Sequence, residues 1–266
     1  LSRYFIELAY KGTPYCGWQY QPNGKSVQEE LERAFGILLR EDVRITGAGR
    51  TDAGVHALYY VAHFEASRDD LQNDISLIYK LNGILPREIA IYGIYSVPPH
   101  TNARFNAISR TYNYKIATRK NPFTIDYAYH FYRPLEVNKM NESAAILLEY
   151  NDFASFQKLP SDAKTTLCHV QNAQWIDDHN GELQFVITAD RFLRNMVRAI
   201  VGTMIDIGVG KYLPEDMHRI ILEKDRGMAG ASAPPQGLYL VNIEYPEIPG
   251  FHSAAGKPII KVVPSP

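Results

Sequence analysis

From Val55 to Phe64 the chain reads VHALYYVAHF, apolar on both faces of an extended strand. Such a strand must be covered on both sides, which places it at the centre of a sheet rather than at its rim. The rest of the fold has to be arranged around it. Immediately upstream lies Gly47-Ala-Gly-Arg-Thr-Asp-Ala-Gly54, with three glycines in eight residues. That density predicts a tight, exposed loop between a short strand at Val43–Gly47 and the central strand, open to close approach by a ligand. Loops held by a rigid sheet are where reactive side chains tend to sit. Asp52 occupies the middle of this one and can serve as nucleophile, base or metal ligand. A turn aspartate more often caps its own backbone, however, so the loop alone assigns it no chemistry.

The remaining elements follow from periodicity and punctuation. Arg3 to Tyr10 alternates apolar and polar residues as a strand, and a Gly/Pro-rich loop runs from Lys11 to Lys25. Ser26-Val-Gln-Glu29 is a capping box that opens a helix to about Arg40, with Val27, Leu31, Ala34, Phe35 and Leu38 on one face. A helix over about 72–81 and a strand over about 89–97 complete a βαββαβ-like first half. In the second half, Ser109 to Thr118 alternates as a strand that sets Tyr112, Tyr114 and Ile116 on one side. An amphipathic helix at 138–150 is followed by strands near 165–176 and 183–189 and a helix from Arg191 to about Ile207. A shorter helix after Pro214 and a strand near 237–245 close the pattern. The sequence is α+β, divided into an N-terminal unit over 1–104 and a C-terminal unit over 105–246. Residues 247–266, rich in Pro and Gly, read as a tail outside the core.

Composition narrows the function classes. The two cysteines, Cys16 and Cys168, cannot form a disulfide framework, and their scarcity suits a reducing, cytoplasmic setting. The eight histidines show no HExxH or paired His/Cys spacing, which argues against a metal site. Apolar runs are too short to span a bilayer, and residues 1–20 do not read as a signal peptide. A net charge of −1 does not advertise a nucleic-acid partner, but phosphate contact needs only a basic face.

Such a face is suggested by the expected helix from Arg191. At 100° per residue, Arg191, Arg194, Asn195, Arg198 and Gly202 share one stripe, while Phe192, Leu193, Met196, Val197, Ile200 and Met204 make most of the rest apolar. A helix so largely apolar is buried, so its arginines must meet a partner or a wet cleft, because an unpaired buried charge costs several kcal/mol. Further basic residues gather at Arg104, Arg110, Lys115, Arg119 and Lys120. Trp18 and Tyr114 read as core residues.

Gly49-Arg-Thr-Asp-Ala-Gly-Val-His-Ala57 is not alone in the chain. With Tyr15-Cys-Gly-Trp-Gln19, Ala103-Arg-Phe105, Arg110-Thr-Tyr-Asn-Tyr114, Asn151-Asp-Phe-Ala-Ser-Phe156, Asn195-Met-Val-Arg-Ala-Ile-Val-Gly202 and Gly237-Leu-Tyr-Leu240, it resembles the TruA family of tRNA pseudouridine synthases from about Arg3 to Pro246. The resemblance implies two ferredoxin-like, mixed-sheet halves side by side around a central RNA-binding cleft, in a homodimer. It implies that uridine at positions 38, 39 and 40 of the tRNA anticodon arm is isomerised without cofactor or metal. On that resemblance Asp52 is the nucleophile, Arg198 its ion-pair partner, and Tyr112 the active-site tyrosine against the uracil. Arg50 would fill the gap left by the extruded nucleotide, and Arg104, Arg110, Arg191 and Arg194 would contact RNA. The sequence departs from the family at Lys11, where an acidic residue is common, and at Tyr20, where a basic one is. An RNA-binding module without catalysis is the alternative; it would have no need of Asp52, Tyr112 and Arg198 together.

Overall fold

The doubly apolar strand lies inside a sheet, with neighbours on either side. The computed structural model describes residues 1–253 apart from positions 23 and 162. In chain order its elements are β1 (Ser2–Tyr10), α1 (Val27–Leu39), β2 (Thr46–Gly47), β3 (His56–Ala66), α2 (Ile75–Ile84), β4 (Ile89–Val97), β5 (Ser109–Ala117) and β6 (Tyr129–His130). There follow α3 (Val137–Ile146), β7 (Val170–Asp177), β8 (Glu182–Ala189), α4 (Met196–Gly208), α5 (Asp216–Glu223) and β9 (Leu238–Glu244). The strands form one mixed sheet in the order β4-β1-β3-β9-β5-β8-β7, with β2 added to β3 and β6 to β5. Most pairings are antiparallel, but β9 runs parallel to β3, matching His56 with Tyr239 and Ala57 with Leu240.

Local chemistry explains the first helix. The Ser26 hydroxyl accepts from the Glu29 N–H at 3.2 Å, and Val27, Leu31, Ala34 and Phe35 are buried on one face. Phe35 meets Phe64 of β3 with ring centroids 4.8 Å apart, which fixes α1 over the central strand. Each such side chain contributes about 1.5–3 kcal/mol of burial.

Two apolar cores form against the sheet. One gathers β1, β3 and β4 with α1 and α2; the other gathers β5, β7 and β8 with α3, α4 and α5. β9 belongs to both, since Leu240 and Ile243 pack in the first and Leu238 in the second. Tyr112 of β5 touches both as well, and so lies at their seam.

Several expectations are corrected. The helix expected from Arg191 begins only at Met196, because Asn195 takes a left-handed conformation (φ 65). The backbone before it is paired elsewhere: the Arg194 carbonyl accepts from the Lys158 N–H at 3.0 Å. Arg191 and Arg194 therefore lie off the helix, and the five-residue stripe does not exist. The expected helix over 72–81 is a single 3-10 turn, Leu71–Asn73, followed by α2, whose start is set by the Asp74 carboxylate accepting from Leu77 N–H at 3.0 Å. The expected strand over 165–176 begins at Val170, because Cys168 N–H and Thr166 Oγ1 bond back to Asn151 and Asp152 instead.

The expected tail is also revised as far as Ser253. Ile248 is buried in the first core, Phe251 packs edge-on against Phe5 and Tyr95, and the Ser253 hydroxyl donates to Glu7. The rest of the segment lies outside the described residues.

Candidate active site

The Gly-rich loop is held from several sides. Tyr60 donates its hydroxyl proton to the Gly49 carbonyl, Tyr10 and Thr51 hydroxyls share a hydrogen bond at 2.9 Å, and Trp18 N–H donates to Thr51 O at 3.2 Å. The Lys11–Trp18 segment lies flat against it. A Cβ on Gly17, whose φ is +97, would sit 2.4 Å from Thr51 O, and one on Gly12 would sit 1.9 Å from Val55 O. Only glycine permits that approach. The loop is thereby pinned before any ligand arrives.

His56, buried at the loop's exit, ties it again to the Lys11–Trp18 segment and also to the segment of Asp126. Its Nδ1 accepts from Gly12 N–H at 3.1 Å, which leaves Nε2–H to donate to Asp126 O at 3.1 Å. Burial lowers its affinity for a proton, as the neutral ring requires. Lys11, which departs from the family pattern, pairs with Asp126 at 3.0 Å and lies over the Tyr127 ring.

At the centre of the loop, Asp52 Oδ2 accepts from Arg198 Nη1 at 3.2 Å. The side chains are 29% and 18% exposed, so the pair is reachable yet partly shielded. Arg198 is aimed by a second bond, Nε to Ala233 O at 2.7 Å. Tyr112 lies near. Its ring is half-buried and meets Phe192 edge-on at 5.1 Å. Burial pushes its hydroxyl up to about 12, with Arg110 drawing it down and the Asp52 charge pushing it further. The phenol therefore stays protonated at neutral pH. Among the described residues no hydrogen bond engages that hydroxyl. The arrangement is a carboxylate beside a fixed cation and a protonated phenol, suited to nucleophilic attack and proton handling.

The other sequence-marked arginines divide. Arg50 is exposed on the loop itself. Arg104 is exposed and lies over the Phe105 ring, itself 79% exposed. Arg191 is half-buried, and Arg194 is exposed with Nη1 donating to Pro160 O at 3.1 Å. Arg110, expected as an RNA contact, is engaged within the fold. Its Nη1 donates to Ala107 O and Asp190 O, and its Nη2 to Ala48 O and Arg104 O, at 2.6–3.1 Å. With both terminal nitrogens occupied, it clamps the Gly-rich loop to the loop that carries Arg104. Nothing in the local sequence marks Tyr10, Tyr60 or Arg110 for these tasks, because the groups that define them, Thr51 for Tyr10, Gly49 for Tyr60, and Ala48 and Asp190 for Arg110, lie 11 to 80 residues away.

Among the described residues no group of three or more His, Cys, Asp or Glu side chains is placed to hold a metal ion, and no helix is long and apolar enough to cross a membrane.

Comparison with known proteins adds the following. A family model described as tRNA pseudouridine synthase matches residues 144–246. A tRNA pseudouridine synthase A of Bacteroides thetaiotaomicron is 50% identical over 249 residues, 93% of this chain and 92% of that protein. The protein of the same name from Bacteroides fragilis is 50% identical over 93% of this chain and 98% of its own length. That of Caldicellulosiruptor bescii is 40% identical over 90% and 98% respectively.

Proposed function

This chain belongs to the tRNA pseudouridine synthase family, and from that membership we propose how its residues isomerise uridine. The enzyme is an isomerase acting on tRNA. Asp52 is its nucleophile, attacking the ribose C1′ or the uracil C6 as the N1–C1′ bond breaks. The uracil then turns so that C5 faces C1′, and a C–C bond forms. The C5 proton leaves and N1 gains one, so no atom is lost and no redox partner enters. A covalent intermediate divides one difficult step into easier ones.

The observation that carries this reading is the 3.2 Å contact between Asp52 and Arg198, made across 146 residues of sequence. Arg198 orients the carboxylate, and the Tyr112 phenol lies against the uracil and handles the proton at C5. Arg50 fills the space vacated when the nucleotide leaves the stack, a step that a base inside a helix requires. Arg104, Arg191 and Arg194 contact the RNA backbone. The substrate positions are uridines 38, 39 and 40 of the anticodon arm. The chain divides into halves at 1–104 and 105–246, each ferredoxin-like, that flank a central cleft. It acts in the cytoplasm as a homodimer whose two copies build the RNA-binding surface.

Replacement of Asp52 by Asn tests the assignment, because the amide keeps the shape and loses the nucleophile. Pseudouridine formation in unmodified tRNA should vanish while tRNA affinity stays within about threefold, under 1 kcal/mol. Turnover that survives Asp52→Asn removes the residue from the mechanism.

A further inference from the structure

Beside the Asp52–Arg198 pair lies a cavity of about 450 Å³, lined by Lys158, Leu159, Asn195, Arg198, Arg226 and Ser232. Three of these carry positive charge and none carries negative charge. Arg198 shares its charge with Asp52, whereas Lys158 and Arg226 have no carboxylate partner among the described residues. Two cations therefore stand in excess at the wall of a hollow large enough for a phosphate with its adjoining sugar.

The wall is also built. Arg226 is half-buried, with Nη1 donating to Ala229 O at 3.3 Å and Gly230 O at 3.0 Å and Nη2 donating to Ser232 Oγ at 3.0 Å. The same Ser232 oxygen accepts from Asn195 Nδ2 at 2.5 Å. A hydroxyl that accepts twice has both lone pairs engaged and retains its own proton to donate. Ser232, Arg226 and Lys158 are thus donors toward one space, and Asn195 stands at the N-terminus of α4, where the helix dipole favours negative charge. Fixed donors with surplus positive charge fit an oxyanion, and a guanidinium held in place matches phosphate geometry.

We propose that this cavity is a phosphodiester subsite that grips the RNA backbone next to the reacting nucleotide. The inference rests on the reading of the chain as a tRNA pseudouridine synthase. Ser232 and Arg226 supply fixed hydrogen bonds, and Lys158, exposed at the rim, supplies a mobile point charge. Anchoring one phosphate here fixes the strand against the wall that holds Arg198, so that the extruded nucleotide meets Asp52 in a defined orientation.

Lys158→Gln is the clean variant, since the backbone N–H that bonds Arg194 O is retained and no described partner of the ammonium is lost. Binding of an unmodified anticodon stem-loop RNA is measured against salt for wild type and variant. The assay is repeated with RNAs carrying one neutral methylphosphonate linkage at each position in turn. The slope of log K against log salt should become shallower by about 0.7–0.9 in Lys158→Gln, one phosphate's worth. A single linkage should weaken wild-type binding about tenfold when neutralised, and weaken the variant less than about threefold, since hydrogen bonds to charged groups are the strong ones. Arg226→Lys, which keeps the charge and loses the fork, should show the same linkage weakened. Equal slopes together with equal methylphosphonate penalties overturn the subsite. Turnover separates the two readings: a wild type that converts uridine while no linkage couples to Lys158 refutes the cavity alone. A wild type that converts no uridine in any tRNA refutes the proposed function.

Discussion

Adding one methyl group to helix α4 should loosen both the fold and the site. A Cβ on Gly202 would sit 1.7 Å from Ala231 O and 2.9 Å from Ala231 C, because residues 229–234 run flat across the helix there. Those residues are tied down on both sides. Gly230 N–H donates to Thr203 Oγ1 at 2.9 Å, Ala233 N–H donates to Arg198 O at 2.9 Å, and Ala233 O receives Arg198 Nε. A carbonyl oxygen cannot yield by the tip of a side chain; the segment itself must shift. Two effects oppose each other in Gly202→Ala. Helix propensity favours alanine by about 1 kcal/mol. Overpacking costs about 1–3 kcal/mol, and each bond lost as the segment lifts adds about 1 kcal/mol. The clash wins, with a net loss of roughly 2–3 kcal/mol, or about 5–10 °C in Tm for a chain of this size. Urea unfolding at constant m-value measures it, and turnover should fall as well because Arg198 loses the carbonyl that aims it. Gly83 is the control: nothing lies within 4 Å of a Cβ there, so Gly83→Ala in α2 should be neutral or stabilise by up to about 1 kcal/mol. A Gly202→Ala protein as stable as its parent would show that propensity prevails and that the segment does not lie against the helix.

Tyr112→Phe keeps the edge contact with Phe192 and removes a hydroxyl with no described hydrogen-bond partner, so stability should change by under about 0.5 kcal/mol while turnover drops more than about tenfold; equal turnover would leave only the ring with a role. A double-mutant cycle of Arg198→Met and Asp52→Asn, read by urea unfolding, should show a coupling of about 1–2 kcal/mol, between the values of exposed and buried pairs. Additivity within about 0.5 kcal/mol would mean that the two side chains do not interact. His63 gives a pH prediction. Burial, with Arg3 nearby, holds it down to about 4, and its Nδ1 accepts from Ala103 N–H at 3.2 Å. The unfolded chain takes up this proton near the ordinary value of about 6.5, before the folded one does, so its share of stability is full above that pH and falls by roughly 3 kcal/mol on going down to pH 4. Stability profiles of wild type and His63→Gln that superimpose across that interval would refute it.

What the sequence determined by itself is what neighbours along the chain can decide. The Ser26 cap is a bond spanning three residues, and the face Val27-Leu31-Ala34-Phe35 needs only the helical repeat, so α1 was legible in full. The central position of β3 followed from side chains apolar on both faces, because such a strand has no other place to be. The motif around Asp52 announced the loop and, through its resemblance, the pairing with Arg198. Tertiary structure decided wherever a backbone group found its partner from afar. The run from Arg191 to Asn195 has the periodicity of a helix, yet the Arg194 carbonyl is taken by Lys158 and Asn195 turns left-handed, so two arginines leave the helix that carries Arg198. Arg110 looks like any basic residue on a strand until four carbonyls from three loops converge on it. Residues 246–253, poor in local pattern, are ordered by Phe5, Tyr95 and Glu7 from the N-terminal part of the chain. Propensity weighs each residue by tenths of a kcal/mol, whereas an unpaired buried polar group costs about 1–3 kcal/mol. Where the two compete, the distant partner sets the conformation, and a local pattern holds no record of it.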